Sequence, residues 1–289
     1  MPGKRNFYRE SARNNNRTYQ QYFNRLVDLS VSMFQWENVP DSIDVRFLEL
    51  TLFNDGQAVF FKDEELGFLC LQCAINGGFN VYRIPIRRRA YAVNGYQRNL
   101  TDRDSVIIWN NYLHQNSMLD VLQFAKRLYN LDRIIDVNAN AQKTPVLLQC
   151  SEKQRLTLLN LYKDFDGNAP VIFGDKNLDL NGIKSITTGA PYVADKIYQL
   201  KTQIWNEALT YLGISNVNIQ KKERLITDEV ARTQGGTIAS RYSRLESRRE
   251  ACDQINRMFG LDMTVNYRED FIPESNMDLT PDLGGAEDE

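Results

Sequence analysis

The chain has 289 residues, 35 Lys and Arg against 37 Asp and Glu, a formal net charge of −2 and 42% hydrophobic residues. That length can bury a sizeable core, in one large domain or two to three small ones. No run of about eighteen apolar residues occurs, so no membrane contact is expected. The opening MPGKRNFYRESARNNNR lacks the apolar core of a secretory signal, so the protein is expected to stay where it is made.

Cys70, Cys73, Cys150 and Cys252 are scattered along a long chain, which is not a disulfide framework. Cys70 and Cys73 form a C-x-x-C, but it lies inside the apolar run GFLCLQCAI and lacks a second ligand pair. Both are expected to be buried in a strand or helix. Charge is unevenly placed. Lys4, Arg5, Arg9, Arg13, Arg17 and Arg25 face only Glu10 in the first 25 residues. Asp262, Glu269, Asp270, Glu274, Asp278, Asp282, Glu287, Asp288 and Glu289 face only Arg268 at the other end. A basic arm that touches nucleic acid and a solvated acidic tail, or simply two solubilising ends, fit this pattern.

In chain order, the basic Asn-rich start leads into a helix predicted over Tyr19–Trp36. Tyr19, Phe23, Leu26, Ser30 and Met33 share one side of it, and Asn38 and Pro40 end it. From Asp41 to about Ser105 the pattern is short strands and turns: Ala58–Phe61, Phe68–Ile75 and Phe79–Ile84, with Asn76-Gly77-Gly78 as a turn. Arg87-Arg88-Arg89, close to Tyr91 and Tyr96, reads as an exposed loop or rim rather than a nucleic-acid grip.

Ser117 with Asp120 resembles a capping box before a long helix to about Asn138, closed off by Pro145. Val146–Cys150, Pro170–Phe173 and Ile183–Thr187 are predicted strands, joined by a helical LTLLNLYKDF and the turn Asp166-Gly167-Asn168. Pro191–Ile214 is a second long helix with two apolar stripes. Val193, Ile197, Leu200, Ile204, Ala208 and Tyr211 form one, and Trp205, Leu209 and Leu212 the other. A helix apolar on two faces needs more than one neighbour. Another helix is predicted near Val217–Ala231, and RTQGGTIASRY over Arg232–Tyr242 has no apolar period and a Gly-Gly, so a mobile loop is expected. Ser243–Leu261 is the final helix, Val265–Tyr267 a closing strand, and the remainder a disordered tail.

No catalytic constellation is present in the sequence. There is no Gly-rich loop ending in Gly-Lys-Ser/Thr, and the single histidine, His114, rules out His-pair metal motifs and reads as a surface residue. Asp63-Glu64-Glu65 sits in a turn, and Glu223 is boxed by Lys221, Lys222 and Arg224 as on a solvated helix face. An enzyme is not expected. The rivals weighed are a nucleic-acid-binding adaptor of low oligomeric state using the basic arm and Arg87–Arg89, and a carboxylate-metal nuclease using Glu223.

Several strings carry more. FQWENVP at 34–40, NAQKTPVLL at 140–148, GNAPVIF at 167–173, APYVADK at 190–196, WNEALTYLGI at 205–214, KKERLITDEV at 221–230 and SRREACDQIN at 247–256 occur in one order. Together they resemble the portal protein, also called upper collar or head–tail connector, of small short-tailed phages with protein-primed linear double-stranded DNA genomes. The resemblance covers most of residues 20 to 260, and no string falls in Gly77–Arg103 or at either end.

The resemblance implies a mainly helical α+β portal fold with a wing, a long-helix stem and a small β-rich, SH3-like clip, assembled as a ring of twelve copies. Its implied divisions are a basic arm at 1–18, wing at 19–116 and 215–267, stem helices at 117–142 and 190–214, clip at 143–189 and acidic tail at 268–289. It implies a structural conduit for double-stranded DNA, packaged and later ejected at one capsid vertex between capsid and tail, with assembly in the host cytoplasm. It implies no cofactor and no metal. The implied partners are other copies of the chain, double-stranded DNA, a packaging ATPase, a packaging RNA, major capsid and scaffolding proteins, and a lower collar or tail protein.

A sliding duplex tolerates only weak phosphate contacts. The channel-facing residues implied are Lys201 on the polar side of the stem helix and the loop residues Arg232, Thr233, Gln234, Gly235, Gly236, Thr237 and Arg241. An outer-surface or intersubunit ion pair is an equal alternative for Lys201. This loop is more basic than the family's. Lys4, Arg5 and Arg9 are the candidates for packaging RNA or motor contact, and Lys143, Lys163, Asp166, Gly167 and Asn168 belong to the clip.

Overall fold

A computed structural model of the protein describes residues 3–141, 146–150, 171–175, 191–214 and 227–268, with side chains over 13–139, 191–214 and 235–268. In chain order the elements are α1 (Gly3–Val31), β1 (Phe34–Glu37), α2 (Val45–Asp55), β2 (Gln57–Asp63), β3 (Gly67–Ile75), β4 (Arg87–Tyr91), β5 (Gln97–Thr101) and β6 (Ser105–Trp109). There follow α3 (Met118–Ala141), β7 (Val146–Cys150), β8 (Val171–Asp175), α4 (Ala194–Leu212), α5 (Thr227–Phe259) and β9 (Thr264–Tyr267). They fall into two compact units, Met1–Tyr22 with Phe124–Glu207 and Phe23–Gln123 with Ala208–Glu289.

The first unit holds the amino-terminal part of α1 and most of α3 and α4. Tyr19 meets Tyr129 edge to face at 6.4 Å, and Tyr22 tilts against Trp205 at 6.5 Å. Asn138 fixes the entry to α4: its amide donates to the Pro191 carbonyl at 3.1 Å and its Oδ1 accepts from Val193 N at 3.0 Å. β7 and β8 pair in parallel, Val146 opposite Val171.

The second unit is built on an antiparallel sheet ordered β5-β4-β3-β2-β6. Alternation along its central strands sends side chains to two cores. Ala58, Phe60, Cys70, Val106 and Ile108 join Leu48 and Leu52 of α2 and Ala251, Cys252 and Ile255 of α5. Val59, Phe61, Cys73, Ala90, Leu100 and Ile107 form the other cluster. β1 pairs with β9, Phe34 opposite Tyr267, so strands far apart in sequence close the unit.

Many expectations hold: β2, β3, β9, α3 and α4 lie where periodicity places them, and strands are found at Val146–Cys150 and at Val171–Asp175, two residues beyond the run predicted from Pro170. The cysteines of the C-x-x-C are buried in β3, and burial raises both thiols, Cys73 to about 11. Other expectations are corrected. The first helix starts at Gly3, since neither glycine nor proline follows until Pro40, and it ends at Val31 because FQWE is drawn into pairing with β9. α2 was not anticipated from its mixed pattern. Its caps are nonetheless written in the sequence: Asp44 accepts from Phe47 N at 3.1 Å, and Gly56 closes it at φ 82°.

Phe79–Ile84 is a turn instead of a strand, because the Asn80 side chain captures the amides of Tyr82 and Ile84, both at 2.9 Å. Arg87–Arg89 is strand β4, and Arg88 is buried with its guanidinium donating to the Pro85 and Ser105 carbonyls. The exposed rim expected there is therefore wrong at its centre. The mobile loop expected at Arg232–Tyr242 is also corrected: α5 runs unbroken through it. Thr237, Arg244, Ser247, Arg248, Ala251, Cys252 and Ile255 form the buried side of this helix. The helical period is present but its first half is written in polar residues, which an apolar pattern cannot register. The segments predicted at 156–165, Ile183–Thr187, most of Val217–Ala231 and the tail from Glu269 onward lie outside the described residues.

Candidate channel surface

In the first unit Lys201 projects from α4 into an internal pair. Its Nζ lies 2.6 Å from Oδ1 of Asp132 on α3, whose Oδ2 accepts from the Tyr22 hydroxyl at 2.6 Å. The ammonium also lies 5.5 Å from the Tyr22 ring and 5.9 Å from that of Tyr198. Burial works against the charged ammonium, yet the hydrogen bonds to Asp132 and Tyr22 outweigh it and leave its pKa raised. Lys201 is thus a half-buried cation already satisfied within its own chain. The pair is formed within the chain, which differs from the outer-surface or intersubunit ion pair weighed from sequence.

In the second unit the segment once expected to be a loop is helix, and its residues divide by face. Gly235 and Gly236 are exposed, and a Cβ on Gly236 would come within 3.3 Å of Thr210. Thr237 is buried. Arg241 turns inward: its Nε donates to the Gly213 carbonyl at 3.1 Å and its guanidinium stacks 4.7 Å from the Tyr267 ring. Arg232, Thr233 and Gln234 lie on the same helix. Lys4, Arg5 and Arg9 lie on α1. Lys143, Lys163, Asp166, Gly167, Asn168 and Glu223 lie outside the described residues.

The residues sequence reasoning missed continue along the same side of α5. Arg244 donates to Ser117 Oγ at 2.8 Å and to the Tyr211 carbonyl at 3.2 Å, and burial pulls its pKa down. Arg248 is 2% exposed. It holds Glu49 of α2 through two bonds of 2.9 and 2.7 Å, donates to the Asn110 carbonyl at 2.9 Å and lies 4.0 Å from the Phe34 ring. Trp36 donates to the same carboxylate at 2.8 Å. The Ser117 and Asp120 pair, predicted as a reciprocal cap, is used otherwise. Ser117 Oγ also accepts from Asn110 at 2.9 Å, and Asp120 accepts from the Tyr211 hydroxyl at 2.6 Å. Only the three- and four-residue spacing of Arg241, Arg244 and Arg248 signalled this row in advance.

Acid clusters offer little chemistry. Asp63 accepts from Tyr96 at 2.6 Å, from Arg98 at 2.8 Å and from the amides of Glu65 and Leu66, which locks the β2–β3 turn. The Tyr96 hydroxyl foremost, then those amides, hold its carboxyl well below the usual range. Among the described residues no group of three or more potential ligands is placed to hold a metal. No described helix is long and apolar enough to cross a membrane. His114 is exposed and stacks on Trp109 at 3.8 Å.

Long helices, a parallel strand pair, a five-stranded antiparallel sheet and a separate pair of distant strands make this a mixed helix-and-sheet fold. The chain is similar to a chain in the portal and tail of native bacteriophage P68, at 15% identity over 93% of this chain and 92% of that one, with a TM-score of 0.51. It also matches an HK97 family phage portal protein from Corynebacterium diphtheriae, at 10% identity over 88% and 95% of the two chains, with a TM-score of 0.40. The fold assignment rests on the first. The family model "Phage Connector (GP10)" matches residues 4–272, and the chain belongs to that family. It is a structural head–tail connector of the portal class, a virion component associated with capsid and tail.

Proposed function

We propose that copies of this chain close into a ring, twelve in number, whose hollow axis conducts double-stranded DNA into the capsid and out again. The observation that carries this reading is apolar surface left in water by the first unit. Ile134 and Val137 on α3 and Tyr198 and Leu200 on α4 are 49, 63, 59 and 45% exposed. Leu200 belongs to the stripe predicted to be buried. Copies placed on either side would cover these side chains, and a contact that joins two different surfaces closes into a ring when its rotation permits.

On this reading the stem is 117–142 with 190–214, the clip 143–189 and the wing 19–116 with 215–267. Lys201 and Arg232–Gly236 face the channel, and Thr237 and Arg241 hold that segment from inside. Lys201 presents a cation weakened by Asp132, which suits a surface over which phosphates must slide. The clip, with Lys4, Arg5 and Arg9, would meet the packaging ATPase or a packaging RNA. The wing would meet major capsid and scaffolding proteins, and the lower collar or tail protein would bind the same ring. No catalytic step is assigned to it.

Native mass measurement of the purified protein checks the reading. A single species of about twelve chains is expected. A stable monomer or dimer overturns it and favours a nucleic-acid-binding adaptor. Deleting 146–187 is expected to leave rings intact and stop DNA packaging.

A further inference from the structure

The β3–β4 connection presents an apolar knob to solvent. Phe79, Val81, Tyr82 and Ile84 are 54, 90, 81 and 41% exposed. The knob is shaped rather than slack: Asn80 N donates to the Ile84 carbonyl at 2.9 Å, the Asn80 side chain holds two further amides, and Phe79 bridges to Pro85. Its charge is of one sign. Arg83 and Arg87 are exposed beside it, and Arg89 has a buried Nε without a hydrogen-bond partner among the described residues. Apolar side chains held out together among arginines form a surface that calls for an acidic, partly apolar cover.

The same chain supplies one. Residues 269–289 carry eight acids and no Lys or Arg, with Phe271, Ile272, Met277, Leu279 and Leu283 spaced between them. The segment follows β9, whose end is tied to the second unit where Arg268 N donates to the Met33 carbonyl at 3.1 Å. Twenty-one further residues, extended at about 3.3 Å each, reach roughly 70 Å, well beyond the dimensions of such a unit. Tethering also gives the tail an effective concentration near the millimolar range, which no separate molecule of similar chemistry matches at ordinary concentrations.

We propose that residues 269–289 fold back on their own chain and cover the Phe79–Ile84 knob, setting their carboxylates against Arg83, Arg87 and Arg89. Neither stretch carries any of the strings shared with portal proteins. The pairing does not depend on ring formation.

The experiment is a thiol-labelling rate at Val81→Cys in a Cys150→Ser background, since Cys70, Cys73 and Cys252 are buried with raised pKa values. Three chains are compared: the full tail, a tail neutralised by Glu274→Gln, Asp278→Asn and Asp282→Asn, and a chain ended after Arg268. Labelling is expected about ten-fold slower with the full tail. The protection should weaken on neutralisation, vanish on truncation and fade at high salt. Equal rates in all three overturn the proposal. Protection that grows with protein concentration also overturns it, because it would assign the cover to another molecule.

Discussion

Arg248 in the second unit and Lys201 in the first are both helix-borne cations paired to a carboxylate on another helix, yet their surroundings differ. Arg248 and Glu49 are 2 and 3% exposed, and their bonds to one another and to Asn110 tie α5 to α2 and to the residue after β6. Lys201 and Asp132 are each 24% exposed and keep water on one side. A charge sealed in a core specifies packing and is costly to orphan, whereas a partly exposed pair costs little to lose.

The widest contrast is expected from Arg248→Met, which leaves Glu49 buried and unpaired. Denaturant unfolding should show a loss of about 3–5 kcal/mol, and adding Glu49→Leu should recover much of it. Next comes Gly56→Ala at the end of α2, where φ is 82° and a new Cβ would lie 2.7 Å from Asn116 N. A loss of about 1–3 kcal/mol is expected by the same assay, with α2 shifted against the 110–116 segment. Gly235→Ala should act in the opposite direction. Nothing lies within 4 Å of its added methyl, so a helix there gains about 1 kcal/mol, and no gain would mean that the segment is not helical in solution.

Lys201→Ala sharpens the comparison from the other side, with at most about 1 kcal/mol lost and the fold kept. A large loss would place Lys201 with Arg248. The smallest effect is tied to pH. Because folding lowers the Asp63 pKa, its contribution is present above the ordinary carboxylate pKa and is lost as pH falls. The melting-temperature gap between the native chain and Asp63→Asn should therefore be widest near neutrality and close as pH drops below about 4.

How much of this was legible depended on the letters used to write each period. α3 and α4 bury aliphatic residues such as Val121, Ala125, Leu128, Ile204, Ala208 and Leu212 at helical steps, and their pattern gave them away. Between Arg232 and Tyr242 α5 presents polar residues and a Gly-Gly, with Thr237 turned inward, so the same geometry read as loop, whereas the stretch from Ser243 that buries Arg244, Ser247 and Arg248 was legible as helix through its later apolar positions. Its arginines are stable inside because Glu49, Asn110, Ser117 and Tyr211 receive them, and Glu49 lies 199 positions from Arg248. No local window holds both partners. The identity of the fold was legible for a different reason, through long shared strings, while the partner of Lys201, 69 positions upstream at Asp132, had no local signature.

The end of α4 has a mechanical bearing. Its last carbonyls, at Tyr211 and Gly213, are gripped by Arg244 and Arg241, and Gly213 packs so close that an added Cβ would lie 2.9 Å from Arg241 N. The end of α4 and the residue just past it are thereby fixed against α5 through their own backbone atoms rather than through side chains that could be repacked. One glycine thus sets how closely the two backbones approach, and any side chain in its place would wedge them apart.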